Sequence, residues 1–402
     1  CTDTNHTDVS FRPLTKSGLG AKQSGGAGLT TVTSYYDLSA GSYYLTEDLK
    51  TDATIRIADD VKLCLNGHSI IAESDTTCAI LIDGDNASLT LCDCRGGSTE
   101  YGKITTNFKG RGVSLWNGSF TMYGGSIAGN GAADSSRDGY GGAGVCVESG
   151  KTFIMYGGEI TGNNSNIDNG GGVLVGGTFN LYGGSISGNT AKNGGGVYVK
   201  NGTFNVSGGK VAGNTASKDG GGVRLDKGTF NMSGSAVISR NTADGYGGGV
   251  DANNGTFRMS GGSITGNTTT NESPSWCGGG GVFVCDGGSF TMSGGSITGN
   301  NSLRGAGVEV VGSSTMTISG SVQITGNWQN GALDSTNGSY VQGSRGKANN
   351  LYLFTDKTVA IGTVGLNADA RIGVTTEVWP ESGNPVKIVT NATNEESHYT
   401  AI

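Results

Sequence analysis

A repeating unit of about 26 residues constrains this sequence more than any other feature. Most units end in a tag "GN" behind an Ile-containing run, and the tag residues are Asn130, Asn163, Asn189, Asn214, Asn241, Asn267, Asn300 and Asn327. Each unit holds three short runs, such as "VYV" at 197–199, "TFNM" at 229–232 and "GSITGN" at 262–267. Because these runs alternate and show no helical period, each unit predicts three short strands.

Three strands per repeat predict a coil that stacks on its own copies. The predicted fold is all-β, a right-handed parallel β-helix of about ten coils. Alternation places Val197, Val199, Phe204 and Ile264 inside, and the tag asparagines form a hydrogen-bonded ladder at one corner. A β-propeller fits less well, because its blades need about 40 residues and four strands.

The regularity of the repeat divides the chain into four parts. Residues 1–30 are polar and predict a linker or an N-terminal cap, and 31–115 predict irregular N-terminal coils. Residues 116–330 carry the regular repeat, with insertions at 131–144 and 268–281. Residues 331–402 predict C-terminal strands that cover the open end of the helix.

Composition narrows the classes of function. The net charge of −7 disfavours a nucleic-acid partner, which requires clustered Lys and Arg. No run of 18 apolar residues is present, so no membrane insertion is expected. Glycine-rich strings abound among the 76 glycines, but none follows a strand and opens a helix, so no cofactor is predicted.

Eight cysteines suggest cross-links between coils. Cys64 and Cys92 lie about one coil apart, which brings their backbones within the range of a disulfide, although Cys94 competes. Cys277 and Cys285 flank "GGGGVFV" and form a second candidate pair. Inert thiols are the alternative for all four. The cysteines and three histidines show no ligand spacing, so no metal site is predicted. Cys1 fits a lipidated mature N-terminus or a fragment of a larger multidomain protein, and we favour the fragment.

Several segments carry a family resemblance, among them "GSYYLTEDL", "VKLCLNGHSI", "LTLCDC", "GGSITGN" and "ARIGVTTE". They resemble the β-helix modules of bacterial cell-surface proteins, the adhesin-like proteins of gut Gram-positive bacteria. The resemblance extends over nearly the whole chain from about residue 41. It implies an extracellular location, secreted or attached to the cell wall. Similar β-helices also host glycoside hydrolases, polysaccharide lyases and epimerases, so the fold alone does not select an activity.

The "GVxV" strands present two outward rows of side chains. The first row is Cys146, Leu174, Tyr198, Arg224, Asp251, Phe283 and Glu309. The second row is Glu148, Gly176, Lys200, Asp226, Asn253, Cys285 and Val311. Both insertions precede this strand, five coils and about 24 Å apart, and would wall a groove around the rows. They contribute Tyr140 and Trp276, whose aromatic rings suit sugars.

These residues predict a carbohydrate site. Its expected contacts are Tyr198, Lys200, Arg224, Trp276, Phe283, Tyr140 and Glu309. Stacked tyrosines at 123, 156 and 182 form a second surface, either for sugars or for sheet stability.

Catalysis is a second hypothesis for the same groove. Asp226 and Asp251 are one coil apart and fit the carboxylate pair of a glycoside hydrolase. Arg224 is expected to keep Asp251 ionised, and Asp219 and Asp244 are reserve acids. A solvated row of salt bridges accounts for the same pattern without any activity.

Three functions therefore stand side by side. The leading one is an adhesin-like surface module that binds a glycan. The others are a carbohydrate-active enzyme and a structural stalk that holds other domains away from the cell.

Overall fold

The computed structural model describes residues 10–25, 32–73, 77–94, 101–131, 141–273, 278–378 and 387–391. Over these residues the chain is a parallel β-helix, as the repeat predicts. Each strand pairs with its copy one repeat later, as Val197–Lys200 pairs with Val223–Asp226. This stacking builds three sheets, of 14, 24 and 5 strands.

The "GVxV" strands form a 14-stranded sheet, called here the first sheet. One of the 14 strands, Lys22–Ser24, runs antiparallel to its neighbour, which leaves thirteen parallel strands. The helix therefore has more coils than the ten expected, because the irregular segments at both ends stack in the same way. The strands are Lys22–Ser24, Ser34–Leu38, Thr54–Ile57, Cys78–Ile82, Arg111–Leu115, Val145–Val147, Val173–Val175, Val197–Lys200, Val223–Asp226, Val250–Asn253, Val282–Cys285, Val308–Val310, Leu351–Leu353 and Val374–Thr376.

The second and third strands of the coils join in one 24-stranded sheet. Its strands are Arg12–Leu14, Gly41–Leu45, Leu49–Thr51, Asp60–Cys64, Ile70–Ala72, Ser88–Cys92, Lys103–Thr105, Ser119–Met122, Ser126–Ala128, Thr152–Met155, Glu159–Thr161, Thr178–Leu181, Ser185–Ser187, Thr203–Val206, Lys210–Ala212, Thr229–Met232, Val237–Ser239, Thr256–Met259, Ser263–Thr265, Ser289–Thr298, Thr315–Thr325, Val359–Leu366, Arg371–Ile372 and Val389–Asn391.

In five coils a fourth short strand, which was not predicted, follows the tag asparagine. These five strands form a 5-stranded sheet. The signal for it was the recurring Thr-Ala pair, as at 215–216 and 242–243. The strands are Asn164–Asn169, Thr190–Asn193, Thr215–Ala216, Thr242–Ala243 and Thr268–Thr269. The remaining elements are the 3-10 helix Lys16–Gly18 and the pairs Trp328–Gln329 with Lys347–Ala348 and Ala332–Leu333 with Tyr340–Val341.

The core consists of ladders of like side chains. Seven phenylalanines, from Phe120 to Phe290, stack with ring centroids 4.6 to 5.0 Å apart. Val197, Val199, Phe204 and Ile264 are all fully buried, which confirms the predicted inward face. The stack buries much apolar area per coil and is the main favourable contribution to folding.

The tag asparagines form the predicted ladder at a corner. Asn189 Nδ2 donates to Asn214 Oδ1 at 2.9 Å, and Asn214 Nδ2 donates to Asn241 Oδ1 at 3.0 Å. Each of these amides also donates to a backbone carbonyl, as Asn214 does to Ile186 O at 3.0 Å. Asparagine fits here because its amide both donates and accepts, so every buried polar atom in the ladder is satisfied.

Further segments cover the N-terminal end of the β-helix. Arg12–Leu14 pairs in parallel with the strand at 41–45, and Leu14 and Leu19 are buried. Packing of this kind satisfies a sheet edge that would otherwise be open.

Candidate functional site

The outward residues of the first sheet form the two rows predicted from the sequence. The pairings place Tyr198 beside Arg224 and Arg224 beside Asp251, and place Lys200 beside Asp226. We call the row from Cys146 to Glu309 the corner row, and the row from Glu148 to Cys285 the open row. The registers confirm the whole corner row, and they confirm the open row from Lys200 to Cys285.

The corner row lies beneath the glycine-rich corner that precedes each strand. Tyr198 is 7% exposed, Asp251 1% and Glu309 0%. Gly247 has a φ of +63°, and a Cβ built on it would lie 2.6 Å from the Cβ of Asp251. Only glycine allows so close an approach, so the corner folds over the row and buries it. The buried residues predicted as sugar contacts therefore support this corner and present no open surface.

Arg224 is shared by two buried carboxylates. Its Nη1 donates to Asp219 Oδ2 at 2.8 Å and also to Asp251 Oδ2. The group carries one positive and two negative charges in a site with little water. Burial therefore raises the pKa of Asp251 to about 7, although Arg224 acts in the opposite direction. The expectation that Arg224 keeps Asp251 fully ionised was wrong, because desolvation outweighs one shared guanidinium.

The corner row continues toward the second insertion with Phe283 and Glu309. The Phe283 ring stacks on Tyr246 at a centroid distance of 4.4 Å. Glu309 accepts a hydrogen bond from Arg304 Nε at 2.6 Å, and burial raises the pKa of Glu309 to about 7. Both residues thus have partners within the corner.

The open row reaches solvent. Lys200, Asp226 and Asn253 are all partly exposed, and Tyr198 donates its hydroxyl to Asp226 Oδ2 at 3.1 Å. Asp226 and Asp251 therefore belong to different rows, one accessible and one buried. Asp244, the other reserve acid, accepts a hydrogen bond from Thr270 Oγ1 at 3.2 Å.

The open row ends in an aromatic residue that was not predicted from the sequence. Leu115 pairs with Val147, so Trp116, the next residue, lies beside Glu148 at the N-terminal end of the row. Trp116 is 38% exposed, whereas the phenylalanines of the core are fully buried. Extending the row by one copy toward the N-terminus would have found it.

Trp116 lines an open depression of about 460 Å³. Lys151 Nζ donates to Asn117 Oδ1 at 2.6 Å, and Asn117 Nδ2 donates to Asp85 Oδ1 at 2.8 Å. The Cys146 thiol donates to Glu148 Oε1 at 3.4 Å. The lining residues are Asp85, Trp116, Asn117, Glu148, Ser149 and Lys151. One aromatic face amid hydrogen-bonding groups is an arrangement that binds small polar ligands with apolar faces.

A stack of tyrosines lies on the 24-stranded sheet. Tyr123 and Tyr156 have ring centroids 5.0 Å apart, and Tyr156 and Tyr182 are 5.2 Å apart. Tyr156 is 47% exposed and Tyr182 is 48% exposed. Because neighbouring rings stack face to face, the arrangement favours a role in sheet stability.

Three cysteines lie together near the N-terminal coils. Cys64 and Cys92 are register partners on neighbouring strands, and Cys64 Sγ lies 2.7 Å from Cys94 Sγ. The three sulfur atoms lie within 4.8 Å of one another, a separation that also suits a metal. Cys94 is disulfide-bonded, however, and an oxidised sulfur is a poor ligand. We therefore do not assign a metal ion to the cluster.

The remaining predicted residues divide into two groups. Cys285 is a free thiol whose Sγ lies 3.8 Å from Asp251 Oδ1. Tyr140, Trp276 and Cys277 lie outside the described residues, so the predicted walls of the groove stay predictions.

Comparison with protein-family models, with curated proteins and with solved structures finds no match to this chain. Among the described residues, no helix has the length and apolar character needed to cross a membrane. A function for this chain is therefore inferred from the chemistry of its own residues.

Proposed function

We propose that this chain is an extracellular, adhesin-like β-helix module that binds carbohydrate through the open row of the first sheet. The observation that carries this proposal is the exposed Trp116 in a depression lined with polar side chains. Sugars combine an apolar ring face with hydroxyl groups, and the depression supplies a partner for each.

The open row extends the site beyond the depression. From Trp116 to Asp226 there are four strand steps, or about 19 Å at the spacing of paired strands. Glu148, Lys200 and Asp226 follow one another along this line, with Gly176 between the first two. A row of this length suits an oligosaccharide of several units.

An extracellular location is part of the proposal, and the cysteines support it. Cys94 is disulfide-bonded, and Cys64 and Cys92 lie beside it. Disulfides persist mainly in oxidising compartments such as the cell exterior.

The geometry favours binding over hydrolysis. Asp251 is 1% exposed and bound to Arg224, so a substrate in the open row reaches Asp226 but not its predicted partner. A glycosidase needs both carboxyl groups at the scissile bond. We therefore do not propose glycoside hydrolysis as the function of this row.

Replacing Trp116 by alanine tests the proposal. We expect the Trp116→Ala variant to lose at least about tenfold in affinity for the glycans that the wild-type chain captures on an array, because the stacking face is gone. Titration calorimetry with the best soluble hit measures the change.

The matched control is Tyr182→Ala, which removes an aromatic ring that is more exposed than Trp116 from another sheet and should leave affinity unchanged. Equal affinity of Trp116→Ala and wild type, or no captured glycan at all, would overturn the proposal. The latter result would favour the structural stalk.

A further inference from the structure

The charges around Trp116 point to one class of sugar. Among the described residues that line it, the depression contains two carboxylates, Asp85 and Glu148, and one ammonium group, Lys151. Its net charge at neutral pH is therefore −1, from two negative groups and one positive group. The formal net charge of the whole chain, −7, has the same sign.

The lysine of this described lining is already engaged in a hydrogen bond. Lys151 Nζ donates to the amide oxygen of Asn117 at 2.6 Å, and the amide nitrogen of Asn117 donates to Asp85 at 2.8 Å. This chain of hydrogen bonds directs the lysine toward a neutral amide. An anionic ligand would therefore meet two carboxylates and compete with Asn117 for the lysine.

The carboxylates retain capacity to accept hydrogen bonds. Asp85 accepts a hydrogen bond through Oδ1 and Glu148 accepts one through Oε1. Each carboxylate also has a second oxygen. Acceptors thus outnumber donors in the depression. Ligand groups that donate, hydroxyl and above all ammonium, complement such a surface.

Trp116 favours the same class of ligand. An ammonium group within about 6 Å of an indole face is attracted by the negative face of the ring. A sugar that carries a protonated amine would therefore gain from the indole and from the carboxylates together. A uronic acid carries a negative charge and would gain from neither of these two charge attractions.

We propose that the Trp116 depression selects glycans that carry protonated amines, and that it rejects polyuronates. This inference rests on the proposed carbohydrate site and adds its ligand class. The selection is electrostatic, so it acts partly by excluding the wrong charge.

Three oligosaccharides of equal length test this inference with the intact chain at mildly acidic pH. They are a hexamer of β-1,4-linked glucosamine, its fully N-acetylated counterpart and a hexamer of galacturonic acid. We expect the glucosamine hexamer to bind at least about tenfold more tightly than the N-acetylated one, and the galacturonate hexamer to show no measurable binding. Raising NaCl from about 50 mM to about 500 mM should shrink the difference.

Two variants assign the effect to the depression. Asp85→Asn and Glu148→Gln should each reduce the preference for the amine while keeping the N-acetylated hexamer's affinity. The control Glu159→Gln removes the same unit of charge from a partly exposed position on the 24-stranded sheet and should leave the preference intact.

The outcomes separate the inference from the function on which it rests. Equal binding of the first two hexamers, or tighter binding of the galacturonate, would overturn the charge selection and leave the sugar site standing. Binding of the amine that survives Trp116→Ala would place the contact elsewhere and overturn both.

Discussion

At the scale of single residues, burial changes the meaning of the charged side chains. Asp251 looks from the sequence like a surface acid beside an arginine. In the fold it is 1% exposed and shares Arg224 with Asp219. Two carboxylates on one guanidinium, with little water, hold a proton more readily than an exposed pair.

The pH dependence of stability tests this account. The pKa of Asp251 is raised from 3.8 to about 7, so the folded chain binds a proton that the unfolded chain has already lost. Between about pH 4 and about pH 7 folding takes up protons, and stability therefore falls as pH rises. Glu309, whose pKa burial also raises to about 7, adds to the same trend.

We expect the free energy of unfolding to fall by about 1–4 kcal/mol between about pH 5 and about pH 7.5. In the double variant Asp251→Asn, Glu309→Gln the decrease should be much smaller. Chemical denaturation at a series of pH values measures both. A wild-type stability that rises across this window would contradict the proposed protonation.

At the scale of elements, the asparagine ladder connects neighbouring coils by buried hydrogen bonds, which apolar packing does not provide. Asn214 is fully buried and takes part in hydrogen bonds to Asn189, Asn241 and the carbonyl of Ile186. An apolar residue at this position would leave several buried polar groups without partners. The cost of such groups exceeds the net gain from an ordinary hydrogen bond.

Replacing Asn214 by alanine should therefore destabilise the chain by about 3–5 kcal/mol. The control is Asn205→Ala, in a second asparagine row that is only partly buried, where Asn205 Nδ2 donates to Asn180 Oδ1 at 2.8 Å. We expect that variant to cost less than about 1 kcal/mol. Equal costs for the two variants, measured by urea denaturation, would show that the ladder has no special role.

At the scale of the whole molecule, the β-helix is a one-dimensional stack. A coil in the middle contacts one neighbour on each side, while a terminal coil has one neighbouring coil. Stability in such arrays is close to a sum of coil and interface contributions. The ends of the stack should open before the centre does.

Hydrogen exchange followed by mass spectrometry tests this gradient. Peptides that contain the central strands at 223–226 and 250–253 should exchange most slowly. Those that contain the terminal strands at 12–14 and 389–391 should exchange at least about tenfold faster, because local opening there breaks only one interface. Uniform protection from end to end would contradict a stack of separable coils.

Much of the fold was predictable from the sequence because it depends on local periodicity. The alternation of Val197, Val199 and Phe204 predicts their inward face, and the spacing of the tags predicts the ladder of asparagines. Cys64 and Cys92 were correctly placed beside one another for the same reason, since one repeat equals one step along the stack. The membership of both outward rows follows from this spacing as well.

The sequence by itself determined the coil, its registers and the residues of each row, because period and alternation are properties of neighbours along the chain. Only the tertiary structure decided which row meets solvent. The corner at Gly247 folds over Asp251 and buries it, whereas the side chain of Trp116, one coil beyond the predicted rows, is exposed to solvent. Burial depends on how a corner bends in space. The bend is set by packing between coils and not by the order of residues within one coil.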